Sequence, residues 1–316
     1  MAQGKKEYGV VGFSQMGENL TRQALCKGMR VVGHMRLPPA VPFGQSQVAL
    51  DLLEAGLVEI LTFADFKTNL AHPRAVFIDL LAGPEVDSVV DELVLHLESG
   101  DIVVDSSSSY WGDSIRRHHR LKQSKGIYLV DLGISGGIEG ALYGACFMVG
   151  GEPKASALVE PILLELAIPG GYLHVGPPGA GHFTQLVHKG IEFGMLQAIG
   201  EGIDLLEHYR DRLDIASVVR CWCQGSEIRS WLLELLSEAY RTQGEIEEIP
   251  ASIEDTDEWN WLINDAIEME VAVPVISQAV MQLFASHDRK EYGARAITMM
   301  LHEIRGDPYS KAVINI

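Results

Sequence analysis

At 316 residues the chain is long enough for two domains with separate cores, and its 47% hydrophobic content is that of a globular protein. A formal net charge of -18 excludes the broad basic face that nucleic acid or an anionic membrane surface requires, so neither is expected as a partner. The four cysteines, Cys26, Cys146, Cys221 and Cys223, lack redox or zinc spacing; free buried thiols in a reducing, cytoplasmic setting are expected, with no metal.

The opening MAQGKKEYGVVGF is expected to carry no apolar leader and to enter a strand over residues 8–12. Gly12, Ser14 and Gly17 then give G-x-S-x-x-G, followed by a helical run over 18–27 and a second strand over 30–34. Strand, glycine turn, helix and strand within about thirty residues make a dinucleotide-binding unit, with the pyrophosphate on the helix N-terminus. Gly12, Phe13, Ser14, Gln15 and Met16 are therefore expected at the cofactor. Met35, Arg36 and Leu37 follow the second strand, where an acid would select NAD. With no acid there, NADP is expected, NAD remaining possible. Arg36 either pairs with the extra phosphate, stacks on the adenine or lies free.

Residues 38–56 read as a loop and a short helix. Strands are expected over 75–81, 101–105 and 127–132, alternating with helices over 84–97 and 110–125. That alternation means a parallel sheet covered on both faces, with ligands at the carboxyl edge. The loops there hold Leu80, Leu81 and Ala82, then Ser106 to Ser109, then Ile134 to Gly137. Of the four serines, Ser108 is expected to face cofactor or substrate. Ser135, Gly136 and Gly137 form either a carboxylate cradle or a plain glycine bend. Two more strands, over 144–151 and 172–176, flank a helix over 153–167. His118 and His119 are expected in solvent.

The α/β Rossmann domain, doubly wound and mostly parallel, is expected to end at 178, and an all-α domain to fill 179–316. Helical patterns run over 182–209, 215–224, 227–243, 257–270, 274–287 and 292–305. Trp222, Trp231, Trp259 and Trp261 are core or subunit-interface residues. In GPPGAGHFTQLVHKGIEFG, residues 176–194, His182, Gln185, Lys189 and Glu192 recur at spacings of three and four. They share one helix face, which is either proton-transfer machinery or a solvated polar surface.

Together these residues resemble a family. VVGFSQMGENL (10–20), LLAG (80–83), DIVVDSSSSYWGDSIRR (101–117), DLGISGGIEGALYG (131–144), GAGHFTQLVHKGIEFG (179–194) and GSEIRSWLL (225–233) are similar to the short form of 6-phosphogluconate dehydrogenase, within the β-hydroxyacid dehydrogenases. The resemblance implies oxidation of a β-hydroxyl with a nicotinamide cofactor, in many members followed by decarboxylation. It also implies a helical domain that builds a homodimer or homotetramer. It places His188, Lys189, Glu192, Phe193, Ser108, Ser135, Gly136 and Gly137 at the substrate, and Gln185, His188, Lys189 and Glu192 at the chemistry.

The departures matter as much. Gln185 stands where the family has its catalytic Lys, Lys189 where it has Asn, and Phe193 where it has Tyr. Ser108 falls on the Asn of the family's GGNS. Thr256 and Leu283 fall on a Lys and an Arg that hold the substrate's phosphate in longer relatives. The sequence leaves three readings open: an oxidoreductase with an altered substrate, a silent dinucleotide-binding regulator, and an imine reductase-like enzyme. Lys189 is expected to act as the base in place of Gln185, the alternative being a pair with Glu192 or with a substrate carboxylate.

Overall fold

The first unit is built on apolar runs of four to eight residues that alternate with amphipathic helices. In the computed structural model these form an eight-stranded sheet in the order β3-β2-β1-β4-β5-β6-β7-β8. The described residues are 6–35, 47–242 and 258–287, with 292, 295–297 and 299–300. Arg36, the loop after it, the break at 244–250, Thr256 and most of the helical pattern over 292–305 lie outside the described residues.

The strands are β1 (Glu7–Val11), β2 (Arg30–His34), β3 (Val58–Glu59), β4 (Ala75–Ile78), β5 (Ile102–Asp105), β6 (Tyr128–Ser135), β7 (Ala145–Gly151) and β8 (Ala167–Gly176). The helices among them are α1 (Gln15–Cys26), α2 (Gln47–Glu54), α3 (Phe66–Asn69), α4 (Pro84–His96), α5 (Trp111–Lys125), α6 (Gly137–Tyr143) and α7 (Pro153–Leu166). Neighbouring residues of one strand feed different cores. Val10, Val31, Phe77, Val104 and Val130 join one buried cluster, while Val11, Val32, Ile78, Val103 and Leu129 join a second. That period of two buries both faces of the sheet.

All pairings are parallel except β6 with β7, which is antiparallel. The sheet is thus mostly parallel, as expected, and the one antiparallel pair among the described strands follows from chain length. Only residues 136–144 separate the two strands, fewer than the dozen or so a parallel crossover needs, so the chain doubles back through α6. The strand order reverses at β1 and β4, the switch point at which this architecture binds its ligands.

The chain divides into two compact units, residues 1–189 and 190–316. Helix α8 (Ala180–Glu207) belongs to both. The second unit adds α9 (Ile215–Trp222), α10 (Trp231–Thr242), α11 (Glu258–Glu268) and α12 (Pro274–His287). Phe193, Ala279, Val280 and Leu283 form one of its cores, flanked by Trp259, Ile263 and Phe284. Ile203, Ile215, Val219 and Leu233 form another, with Trp222 against it. Among the described residues no helix is long and apolar enough to cross a membrane.

Two surface expectations are corrected. His118 is buried, with Nε2 3.3 Å from Glu152, and desolvation pulls its pKa below the ordinary value; only His119 is exposed. The cysteines are free, but Cys26, Cys146 and Cys221 are exposed and Cys223 half-buried. Cys26 ends α1 and Cys223 caps α9, while Cys146 and Cys221 lie within β7 and α9.

A buried ion pair ties α5 to the sheet. Arg117 is 1% exposed and donates from Nη1 to Asp105 Oδ2 at 3.0 Å and to Ser109 Oγ at 2.9 Å. Its Nε and Nη2 fork onto Asp87 of α4, each at 3.1 Å. Burial alone would raise the Asp87 carboxyl, but Arg117 and Arg116 outweigh it and hold the group well below the usual range. Arg117→Met leaves Asp105 charged and unpaired in the interior, and should cost about 3–5 kcal/mol of stability. Urea unfolding of the two proteins checks this, and an unchanged midpoint would count against it.

Candidate functional site

The site rises from the carboxyl ends of β1, β4, β5 and β6 and the first turns of α1 and α8. Ser14 is the N-cap of α1: its Oγ accepts from Gly17 N at 3.2 Å, and its C=O accepts the first intrahelical bond, from Glu18 N, at 2.8 Å. The amides of Gln15 and Met16 precede that bond and point out of the helix, as an anion site requires. A nicotinamide dinucleotide fits this turn through its pyrophosphate. Phe13, Met16 and the buried Met35 turn their side chains into the first core, so backbone is what they can offer a ligand. Gln15, Leu81 and Ala82 are exposed at the rim, and Leu80 packs partly against the second core.

Asp79, directly after β4, was not singled out by the sequence. It is 5% exposed, and its carboxylate accepts from Ser14 N and, at 3.0 Å, from Ser14 Oγ. A Cβ on Gly17 would lie 1.9 Å from Asp79 Oδ2, so only glycine leaves room for this contact. Desolvation lifts the Asp79 pKa to about 6, against the hydrogen bonds from Ser14 and Gly17 that lower it. The available signal was an acid closing a fully buried strand.

The serine run resolves by hydrogen bonding. Ser106 Oγ and Ser107 Oγ donate to Ile78 O at 2.8 and 3.1 Å, and Ser109 Oγ donates to Asp105 Oδ2 at 2.9 Å. Three hydroxyls thus fix the loop. Ser108 is half-buried at φ 51°, a strained conformation for a residue with a side chain, and its Oγ accepts from Gln185 Nε2 at 3.2 Å.

Gln185 is 5% exposed and also donates to Ile134 O at 3.1 Å. His182 is 2% exposed, with Nδ1 2.8 Å from Ser114 Oγ. The solvated-surface reading of this helix face is therefore corrected for His182 and Gln185, while Lys189 and Glu192 are half-buried. His188 Nε2 lies 3.3 Å from Ser135 Oγ at the end of β6. Gly136 and Gly137 both have positive φ, 120° and 62°, and open the short α6. Phe193, in the second unit, packs against Trp259 with ring centroids 4.5 Å apart and ring planes tilted by 31°, in the core that also holds Leu283.

This constellation can hold a dinucleotide at α1 and present a hydroxyl, an amide and an imidazole beside it. Residues 7–176 match the NAD binding domain of 6-phosphogluconate dehydrogenase, and residues 181–311 match the C-terminal domain of that enzyme. The chain belongs to the 6-phosphogluconate dehydrogenase family. It is an NAD(P)-dependent oxidoreductase of that type. A Bacillus subtilis protein, YqeC, named provisionally as a 6-phosphogluconate dehydrogenase, is 33% identical over 96% of this chain and 99% of its own. The NAD(+)-dependent, decarboxylating 6-phosphogluconate dehydrogenase of Haloferax volcanii is 34% identical over 92% of this chain and 93% of its own. The fold is that of the Plasmodium falciparum 6-phosphogluconate dehydrogenase, with a TM-score of 0.80, 24% identity, and coverage of 98% of this chain and 67% of that one.

The raised Asp79 pKa has a consequence for stability. Because the folded value lies above the unfolded 3.8, the folded state binds more protons between about pH 4 and pH 6. Stability then falls as pH rises through that window, by an amount on the order of 2–3 kcal/mol. Asp79→Asn removes the titration, so its stability relative to the parent should improve from pH 4 to pH 7. Parallel stability curves across that range would refute the assignment.

Proposed function

We propose that the chain oxidises the hydroxyl of a hydroxy acid or polyol, or reduces the corresponding ketone, with NADP preferred to NAD. Gln15 and Met16 amides would hold the pyrophosphate, and the bound nicotinamide supplies hydride acceptance. The observation that carries the reading is Gln185: buried, bonded to Ser108 and Ile134, and placed where relatives carry a Lys. An amide has no proton to exchange near neutrality, so Gln185 orients Ser108 rather than titrating. Lys189, one helical turn along the same face, takes the hydroxyl proton, and Glu192 orients it or returns a proton after loss of a carboxylate. His188, beside Ser135, helps hold the substrate.

Lys189→Met should lower turnover at least about a hundredfold while leaving the dissociation constant for NADP unchanged. Calorimetry and steady-state assays over a panel of hydroxy acids read both quantities. Retention of most of the turnover would move the base to His188. A parent protein that binds NADP and turns over none of the panel would favour a regulatory role instead.

The substrate is proposed to differ from 6-phosphogluconate. Phe193 and Leu283 share one apolar core and offer no polar group to a phosphate. Each missing charge-assisted hydrogen bond is worth about 1.5–3 kcal/mol, so two weaken binding about a hundredfold or more. A Michaelis constant for 6-phosphogluconate in the micromolar range would overturn this.

A further inference from the structure

The carboxylate in the dinucleotide turn is not part of the chemistry described above. Strand β4 neighbours β1 at the switch point, and Asp79 N donates to Val11 O at 2.9 Å, which seats the residue against the end of β1. From there its side chain turns to the N-terminus of α1, onto Ser14 N and Ser14 Oγ and into the space left by Gly17. That is the positive end of the helix, where this architecture places a pyrophosphate. Two anions would then share one turn.

We propose that Asp79 is a positioning residue of the dinucleotide turn that takes up one proton from solvent when a pyrophosphate binds there. The proposal rests on the reading of α1 as the dinucleotide site. Its ground is the set of groups that face the carboxylate. Ser14 and Gly17 approach it from the turn and α1, and Tyr8, itself raised by burial and by the Asp79 charge, from β1. Glu18, in the first turn of α1, is held by Arg22 at 2.7 Å, and Asp105 at the end of β5 by Arg117 at 3.0 Å. Among the described residues no cation is recorded on Asp79.

With no cation recorded on it among the described residues, the carboxylate can take up a proton as counter-charge. Burial already holds the group close to neutrality, and a second anion raises its proton affinity further. The neutral acid keeps the geometry: one oxygen accepts from Ser14 N, and the other, now O–H, donates to Ser14 Oγ. No bond other than O–H is made or broken. Cofactor affinity is then highest at low pH and falls as pH rises between the proton affinities of the free and the liganded turn.

The test titrates the full chain with NAD+, whose pyrophosphate does not itself titrate near neutrality, between pH 6 and pH 8. Calorimetry in two buffers of different ionisation enthalpy counts protons. The expected result is net uptake approaching one proton near pH 7, with the dissociation constant rising by up to about tenfold per pH unit. Asp79→Asn should bind NAD+ without proton exchange, with a flat pH profile, and more tightly than the parent at pH 8. Binding by the parent with no proton uptake would overturn the proposal, as would an Asp79→Asn protein that keeps the parent's slope. The parent measurement stands alone if the variant does not fold. Failure to bind NAD+ or NADP+ at any pH would overturn the dinucleotide site itself, and this proposal with it.

Discussion

The docking of the first turn of α8 onto β6 and β7 is the constraint on which the site depends. Asp131, fully buried in β6, accepts from Gly179 N at 2.7 Å and from His182 N at 3.0 Å. It satisfies amides that a helix start leaves without partners, and its charge complements the helix dipole. The approach is so close that a Cβ on Gly181 would lie 2.4 Å from Asp131 O and 2.6 Å from Gly150 N. The next two turns of the helix, within the same unit, inherit that placement. Gln185 comes one turn on, over Ser108 and Ile134, and His188 over Ser135. Loosening the cap would shift the amide and the imidazole together.

Three neighbouring strands each present a buried carboxylate at this edge, and each is stabilised differently. Ile78 pairs in register with Asp105, and Asp105 with Asp131. Asp105 has a cation, Arg117, and through it fixes the serine loop. Asp131 has the amides of a helix start. Asp79, one residue beyond Ile78, has the amides of Ser14 and Gly17 and the Ser14 hydroxyl. Desolvation raises the Asp79 pKa to about 6 against the hydrogen bonds from Ser14 and Gly17. The turn that should hold an anion thus already contains a buried carboxylate, with no cation recorded on it among the described residues.

The sheet was legible because its strands are short apolar runs with glycine turns between them, and the run VVGFSQMG carries its own turn chemistry. The direction of β7 was not legible, since an apolar run has no polarity along the chain and α6 is too short to show a period. Ser108 could be chosen from four serines only by its place at a strand end; what separates it physically is that its three neighbours are bound to Ile78 and Asp105. Asp79, Asp131 and Arg117 were missed for a common reason. In sequence an acid at the end of a strand, or an arginine among charged residues on a helix, looks solvated. Only the tertiary fold reveals that Arg117 is 1% exposed and Asp131 wholly buried. His118 misled in the same way.

The exchange at position 185 ties the fold to the chemistry. A Lys there would be almost wholly buried, against a backbone carbonyl and a serine hydroxyl, and its charge would have to be desolvated on folding. Glutamine meets the same two acceptors with its two N–H donors and carries no charge, so the position becomes a fixed hydrogen-bond donor. It leaves the Ser108 hydroxyl with its acceptor side engaged and its proton free to be directed at a ligand. Of the titratable groups on this helix face His182 is buried, while Lys189 and Glu192 are half-buried and so retain contact with solvent. A base that exchanges with solvent does not need the deep burial that a fixed donor tolerates. The replacement thus separates two tasks, orientation at 185 and proton transfer at 189, on the proposed reading of the site.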